Sequence, residues 1–173
     1  SPTPDVAAAS VYSTKQGQTA SVTLADGSRM VLAPGTTVQT KPGFGATHRS
    51  LDVNGEVYVD VTPGSALPFV VRAHGAEARV LGTRFTVRGY TGAPVRVAVE
   101  TGKVAVSRVQ GDHPGVVLMA GDVGEVGDSV ARPLDRELVA PYTAWMNGRL
   151  VFHDTPLPEV LATFKRWFGY DIR

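Results

Sequence analysis

A short pattern recurs through the middle of the chain: a run that alternates apolar and polar residues, a turn that contains glycine, and a second alternating run. The turns contain Gly27, Gly55, Gly102 and Gly121. In the clearest copy Val95, Val97 and Val99 fall on one face of the run, and Arg96 and Glu100 fall on the other. A period of two residues with one apolar face is typical of half-buried strands. The pattern therefore predicts a chain built mainly from paired β-strands.

The turn sequences indicate how these strands pair. Asp26-Gly27 and Asn54-Gly55 are strong hairpin signals, because both of their turn positions tolerate a positive φ. The four turn glycines lie 28, 47 and 19 residues apart, which is too irregular for a strict repeat. We therefore predict a mainly β fold of stacked antiparallel hairpins or an irregular β-solenoid, with a β-sandwich as the alternative.

The C-terminal region has a different pattern and predicts a small βαβ element. Residues 149–153 are a strand candidate, and residues 170–172 resemble the beginning of a second strand. Between them, Asp154 or Thr155 can cap a helix that Gly169 ends. An apolar stripe recurs at helical spacing, formed by Leu157, Val160, Leu161, Phe164 and Phe168. We expect this stripe to pack against a sheet, because an exposed stripe of that size would be adhesive.

These patterns divide the chain into four segments. Residues 1–10 are small and proline-rich, as in a linker, and residues 11–130 form the β domain. Residues 131–148 are polar at their start and form a connector. Residues 149–173 form the βαβ module, which we expect to be truncated within its second strand.

The composition argues against several functional classes. The formal net charge is +1, and the 17 Lys and Arg residues form no basic stripe, so nucleic acid is not an expected partner. Cysteine is absent, which excludes disulfides and thiolate zinc sites. The four histidines are far apart in sequence, and we expect no metal site and no cofactor. No nucleophile motif or phosphate-binding loop indicates a multiple-turnover enzyme.

One dipeptide, Gly82-Thr83, has two interpretations. It interrupts a strand-like run, where glycine permits a bulge or a close approach of another backbone. Alternatively, the Thr83 hydroxyl attacks the Gly82 carbonyl in a single-turnover self-cleavage, for which a strained peptide bond would lower the barrier.

Seven motifs, taken in order, resemble the FecR domain. They occupy residues 12–18, 22–28, 55–61, 68–71, 80–87, 97–106 and 118–122. Residues 145–152 and 156–161 are similar to the start of the small secretin/TonB N-terminal-type module that often follows this domain. Each motif is weak by itself, but their order makes the resemblance specific.

The resemblance implies the periplasmic, signal-relaying part of a transmembrane anti-sigma regulator. In that family a cytoplasmic segment holds an extracytoplasmic-function sigma factor and a single helix crosses the inner membrane; we expect both to lie outside this chain. The periplasmic part receives its signal from the N-terminal domain of a TonB-dependent outer-membrane transporter, often one loaded with an iron chelate. Some members cleave themselves at a Gly-Thr pair, which corresponds to Gly82-Thr83 here.

The resemblance also suggests where a partner binds. We predict that Leu150, Val151, Phe152 and Trp167 form the contact, with residues 150–152 offering a strand edge for β-addition. The alternative for Trp167 is that it packs on the β domain. An unfinished sheet would also favour self-association. The alternative function is an envelope β-domain that binds glycan or cell-wall ligands, which exposed aromatic residues in a groove would favour, although only 8% of the residues are aromatic.

Overall fold

A computed structural model describes residues 7–110, 114–128, 131–135 and 138–171. Six residues of the predicted linker, residues 1–6, and the last two residues of the predicted βαβ module lie outside these ranges. The described strands are β1 (Ser10–Ser13), β2 (Ala20–Thr23), β3 (Arg29–Leu32), β4 (Thr37–Thr40), β5 (Arg49–Asp60), β6 (Phe69–Ala73), β7 (Ala76–Val80), β8 (Arg84–Gly89), β9 (Val95–Thr101), β10 (Lys103–Arg108), β11 (Val116–Met119), β12 (Val123–Val126) and β13 (Ala131–Pro133). The described helices are α1 (Ala140–Thr143), a 3-10 turn (Ala144–Asn147) and α2 (Leu157–Phe168).

The strands form two sheets that share the 12-residue strand β5. The first half of β5 pairs with β4 and β6 in sheet A, which continues through β7 and β10 to β11. The second half pairs with β3 and β8 in sheet B, which continues through β9 and β12 to β13. The β5–β6 pair is parallel, and the other described pairs are antiparallel. The predicted mainly β fold of stacked antiparallel hairpins is confirmed.

The two sheets enclose one apolar core, and the alternation in the sequence identifies it. Val95, Val97 and Val99 are buried in this core together with Val104 and Val106, as the period of two predicts. Complete burial of one such side chain stabilises the fold by roughly 1.5–3 kcal/mol relative to exposure. The alternating valines therefore fix which face of each strand points inward.

The turn glycines play different parts from those predicted. Gly27 closes the β2–β3 hairpin with a φ of +85°, as expected. Gly55 does not form a turn but lies inside β5, where the strand passes from sheet A to sheet B. Gly102 and Gly121 connect strands of opposite sheets, β9 to β10 and β11 to β12. The hairpin prediction is therefore wrong at Gly55, whereas Gly102 and Gly121 lie in turns between successive strands, as predicted, although these strands do not pair with each other.

At the C-terminal end, helix α2 forms and Gly169 ends it in the left-handed conformation, as predicted. The N-cap is Pro156, so neither Asp154 nor Thr155 caps the helix. The strand prediction for residues 149–153 is wrong, because these residues pair with no described strand, and residues 170 and 171 are not in a strand either. Among the described residues, the C-terminal element is therefore a helix without the expected flanking strands.

The segment predicted as a connector anchors this helical region to sheet B. Tyr142 is fully buried and packs with Ala98 and Val123 on the outer face of the sheet. The Thr86 hydroxyl donates a hydrogen bond to the Tyr142 carbonyl at 2.9 Å, and Trp145 Nε1 donates to the same oxygen at 2.8 Å.

In the part of the chain that the structure describes, no helix has both the length and the apolar character needed to cross a bilayer.

Candidate functional site

Helix α2 lies against the outer face of sheet B through its polar side. The Arg96 guanidinium donates to the Glu159 carboxylate through Nη1 at 3.1 Å and through Nη2 at 3.4 Å. The same guanidinium donates from Nε to Glu125 at 3.3 Å. Near the end of the helix, the Arg166 guanidinium carbon lies 3.9 Å from the centre of the Tyr90 ring, which is a cation–π contact. The helix is therefore held on the β domain mainly by charged and polar groups.

The turn between β1 and β2 holds the last turn of the same helix. The backbone N–H of Gly17 donates to the Arg166 carbonyl at 2.8 Å, and the Gln16 side-chain amide donates to the Lys165 carbonyl. A Cβ atom at Gly17 would lie 3.0 Å from the Trp167 carbonyl oxygen. The turn thus supplies donors to carbonyl groups that a helix end leaves without helical partners.

A buried ion pair lies beneath the helix. Arg88 Nε donates to the Glu56 carboxylate at 2.9 Å, and the Arg88 guanidinium lies over the Tyr142 ring, 4.2 Å from its centre. Burial raises the pKa of the Glu56 carboxyl above its ordinary value, and the adjacent guanidinium of Arg88 opposes that rise. Burial also raises the pKa of Tyr90 to about 12, and Glu56 adds to this effect. The space between helix and sheet is therefore polar, and its charges are paired.

The apolar stripe of α2 points away from the sheet. Leu157 is 66% exposed and Phe168 is 53% exposed, whereas Val160, Leu161 and Phe164 are half-buried. The prediction that the stripe packs against a sheet is therefore wrong for Leu157 and Phe168. The reason is that Glu159, Thr163 and Arg166, at helical spacing, form the opposite side of the helix, which meets the β domain.

The aromatic side chains at this surface form a row. Phe152 stacks on Phe164 with ring centres 5.9 Å apart, and Phe168 lies 5.6 Å from Phe164. Tyr170 continues the row, 6.4 Å from Phe168. Phe152 is 37% exposed and Tyr170 is 67% exposed. We call these four residues, together with Leu157, the aromatic row.

The four residues predicted to bind a partner all line one small cavity between α2 and the β domain. Leu150, Val151 and Trp167 are half-buried there, and Phe152 is 37% exposed. The centre of the Trp167 ring lies 6.3 Å from that of the buried Trp145, which belongs to the segment predicted as a connector. Phe152 belongs to the aromatic row. The polar residues at helical spacing in α2 were the sequence signal for the side that meets the domain.

The Gly82-Thr83 pair lies between β7 and β8, immediately before β8 begins at Arg84. Thr83 is 5% exposed, and its hydroxyl donates to the Lys103 carbonyl at 2.9 Å. Gly82 does not have a positive φ, so its backbone torsion shows none of the expected strain. A Cβ atom at Gly82 would lie 2.8 Å from the Pro63 Cβ, so a glycine is needed here because Pro63 approaches the backbone closely.

Among the described residues, no group of three or more His, Asp or Glu side chains is arranged to hold a metal ion.

Comparison with known proteins agrees with this architecture. Residues 10–105, more than half of the chain, match the family model described as "FecR protein". Two crystal structures of a candidate anti-sigma factor from Parabacteroides distasonis ATCC 8503 are similar to this chain at 28% sequence identity and a TM-score of 0.83. The match covers 93% of this chain in one case and 92% in the other, and 75% of the relative in both. No curated protein matches the sequence. The chain belongs to the FecR family.

Proposed function

We propose that this chain is the signal-receiving part of an anti-sigma regulator. FecR family membership supports this role, as does the similarity to a candidate anti-sigma factor over nearly the whole chain. In this proposal the chain lies in the periplasm, tethered to the inner membrane by a helix outside it. It receives its signal from the N-terminal domain of a TonB-dependent transporter. It controls an extracytoplasmic-function sigma factor through a further segment outside the chain.

The observation that carries the proposal is the exposed aromatic row on a helix that is anchored from its other side. Phe152, Phe168 and Tyr170 are each more than a third exposed, and ring contacts through Phe164 join them into one row. Contiguous apolar patches mark protein contacts, and aromatic residues are enriched at the centres of interfaces. The row is therefore the surface on which we expect the signalling domain to bind.

The anchoring of the helix supports a route from this surface to the β domain. Glu159 and Arg166 lie on α2, and they contact Arg96 of β9 and Tyr90, next to β8. A partner that moves the helix must therefore change contacts with sheet B. A ligand shifts such an equilibrium only if it binds the two positions of the helix with different affinities.

The test is calorimetric titration of a purified transporter signalling domain into this chain. We expect Phe168→Ala combined with Phe164→Ala to weaken binding by at least about thirtyfold, since truncation of a central aromatic contact costs roughly 2 kcal/mol or more. The matched control is Val109→Ala, because Val109 is 52% exposed but follows β10 in the other sheet. Equal affinities for wild type and the double variant would contradict the proposal. Binding of peptidoglycan fragments at the row, without binding of the signalling domain, would favour the envelope-ligand alternative.

We also propose that Gly82-Thr83 cleaves itself in a single turnover. The Thr83 hydroxyl oxygen would attack the Gly82 carbonyl carbon, forming an ester as the Gly82–Thr83 amide bond breaks, and the hydroxyl proton would move to the released amine. Water would then hydrolyse the ester and leave a carboxyl group on Gly82. The placement of the hydroxyl supports this, because its hydrogen bond to the Lys103 carbonyl restricts its rotation.

A further inference from the structure

A second exposed apolar surface lies on the outer face of sheet A, whereas helix α2 contacts sheet B. Leu81 is 63% exposed, Val117 is 62% exposed and Met119 is 53% exposed. They line a groove of about 630 Å³ together with Ala105, Arg79 and Lys103. We call these six residues the β11 groove. Its volume lies within the range of roughly 300–1,000 Å³ typical of ligand sites.

The alternation of β11 explains why its apolar residues face solvent. Leu118 is 1% exposed and points into the core, where a Cβ atom at Gly124 would clash with its side chain. Val117 and Met119, on either side of Leu118, must then point outward. All four residues of β11 are apolar, so no polar residue in the strand marks its outer face as a solvated one.

The strand is also at an edge of its sheet. In the described ranges β11 pairs only with β10, and β13 approaches it from the other sheet without pairing. Edge strands are usually protected by charge or proline. The strand at the opposite edge of sheet A, β1, has the sequence Ser-Val-Tyr-Ser, with a serine at each end and one exposed apolar residue, Val11. Strand β11 differs from it because all four of its residues are apolar. An apolar edge strand that lacks such protection can accept an extended segment of another protein.

The charges of the β11 groove indicate what that segment carries. Its two charged lining residues are both cations, Arg79 and Lys103. Arg79 donates to Glu77 at 2.8 Å, which Arg72 also contacts at 3.1 Å. Lys103 forms no ion pair with any residue that the structure describes. A carboxylate of the bound segment would pair with Lys103, and this pair would fix the register of the segment along the groove.

We infer that the β11 groove binds an extended segment of another protein, with alternating apolar side chains and an acidic residue that pairs with Lys103. Gly82 and Thr83 also line the groove, so a bound segment covers this dipeptide. This interaction is separate from the proposed signalling contact, which uses the aromatic row. The two can therefore fail independently in experiments.

The test uses two fluorescent synthetic decapeptides with alternating valine and threonine, one flanked by aspartates and the other by lysines. Fluorescence anisotropy should show binding of the acidic peptide to the wild-type chain. Val117→Asn, which removes an apolar contact without changing the charge, should weaken it at least about tenfold, and Lys103→Glu should transfer the preference to the basic peptide. The matched control is Val11→Asn, at a valine that is 64% exposed on the other edge strand of the same sheet.

Three results would overturn the inference. One is absence of binding of either peptide to the wild-type chain. Another is equal binding by wild type and Val117→Asn, or an unchanged preference in Lys103→Glu. The third is concentration-dependent dimerisation in sedimentation experiments that Val117→Asn abolishes, because this would assign the β11 groove to a second copy of the chain.

Discussion

Replacing Gly55 with alanine tests how one strand serves both sheets. Gly55 lies within β5 at the passage from sheet A to sheet B, and its φ is +123°. A Cβ atom there would lie 2.7 Å from the Cα atom of Thr36 and 2.8 Å from its Cβ. Rotating the Thr36 side chain would not relieve this contact, because χ1 rotation moves neither the Cα nor the Cβ atom.

The expected destabilisation is the sum of three effects. A side chain in this region of φ costs about 1–3 kcal/mol, and overpacking costs about 1–3 kcal/mol more. The Thr36 hydroxyl accepts a hydrogen bond from the Glu56 N–H at 3.0 Å and donates one to the Glu56 carbonyl at 3.2 Å. Displacing Thr36 would lose about 1 kcal/mol from this pair. We expect Gly55→Ala to cost about 5 kcal/mol, or roughly 10–20 °C in melting temperature.

The assay is urea denaturation followed by circular dichroism, with Gly92→Ala as the matched control. Gly92 also has a positive φ, +83°, but no atom lies within 4 Å of the position of its added Cβ. Its replacement should cost only the conformational term, about 1–2 kcal/mol. If Gly55→Ala is no more destabilising than Gly92→Ala, the conclusion that Thr36 packs closely against Gly55 in β5 is refuted.

Four further predictions concern the core, the helix contact and the dipeptide. Val97→Asp should destabilise the fold by about 3 kcal/mol or more in thermal melts, because it places an unpaired charge in the core, whereas Val117→Asp at an exposed site should melt within a few degrees of wild type. Glu159→Gln should lower the stability by less than about 1 kcal/mol, because this carboxylate is 40% exposed, but should speed proteolysis near α2; unchanged proteolysis would argue against the ion pair as an anchor. Because the pKa of Tyr90 is raised from 10.0 to about 12, the stability that its neutral phenol contributes should decline as the pH rises through this interval, and Tyr90→Phe should show a smaller alkaline loss. Thr83→Ala should remain a single mass on ageing while Thr83→Ser retains some cleavage, and a wild-type chain that stays uncut and insensitive to hydroxylamine would remove the self-cleavage proposal.

The sequence was sufficient to predict the structure where the pattern that determines it is local or repeats along the chain. Alternation at Val95, Val97 and Val99 identified the buried face of β9, because every second side chain of a strand points to the same side. Helix α2 and its end at Gly169 were predictable because helical spacing and the left-handed C-cap are local features. The order of the FecR motifs was enough to predict the family.

Contacts between distant segments were not predictable in this way. Asn54-Gly55 has the sequence of a hairpin turn, and Gly55 does adopt a positive φ. It lies inside a strand because β5 pairs with β4 before it and with β8 from it onward, and because Thr36 packs against it. These contacts come from distant segments and cannot be predicted from the local sequence. Likewise, which side of α2 faces the domain depends on Arg96 and Tyr90, which lie far from the helix in sequence.

The polar anchoring of α2 has an energetic consequence for signalling. A partly exposed ion pair contributes about 0.2–1 kcal/mol, a cation–π contact about 0.5–2 kcal/mol and each neutral hydrogen bond about 0.5–1.5 kcal/mol. The Arg96–Glu159 pair, the Arg166–Tyr90 contact and the two hydrogen bonds from Gln16 and Gly17 together amount to a few kcal/mol. A partner with micromolar affinity supplies about 8 kcal/mol of binding free energy. A partner at the aromatic row therefore moves the helix only if it binds the displaced position more tightly than the docked one by more than these few kcal/mol, a difference smaller than the total binding free energy of a micromolar complex.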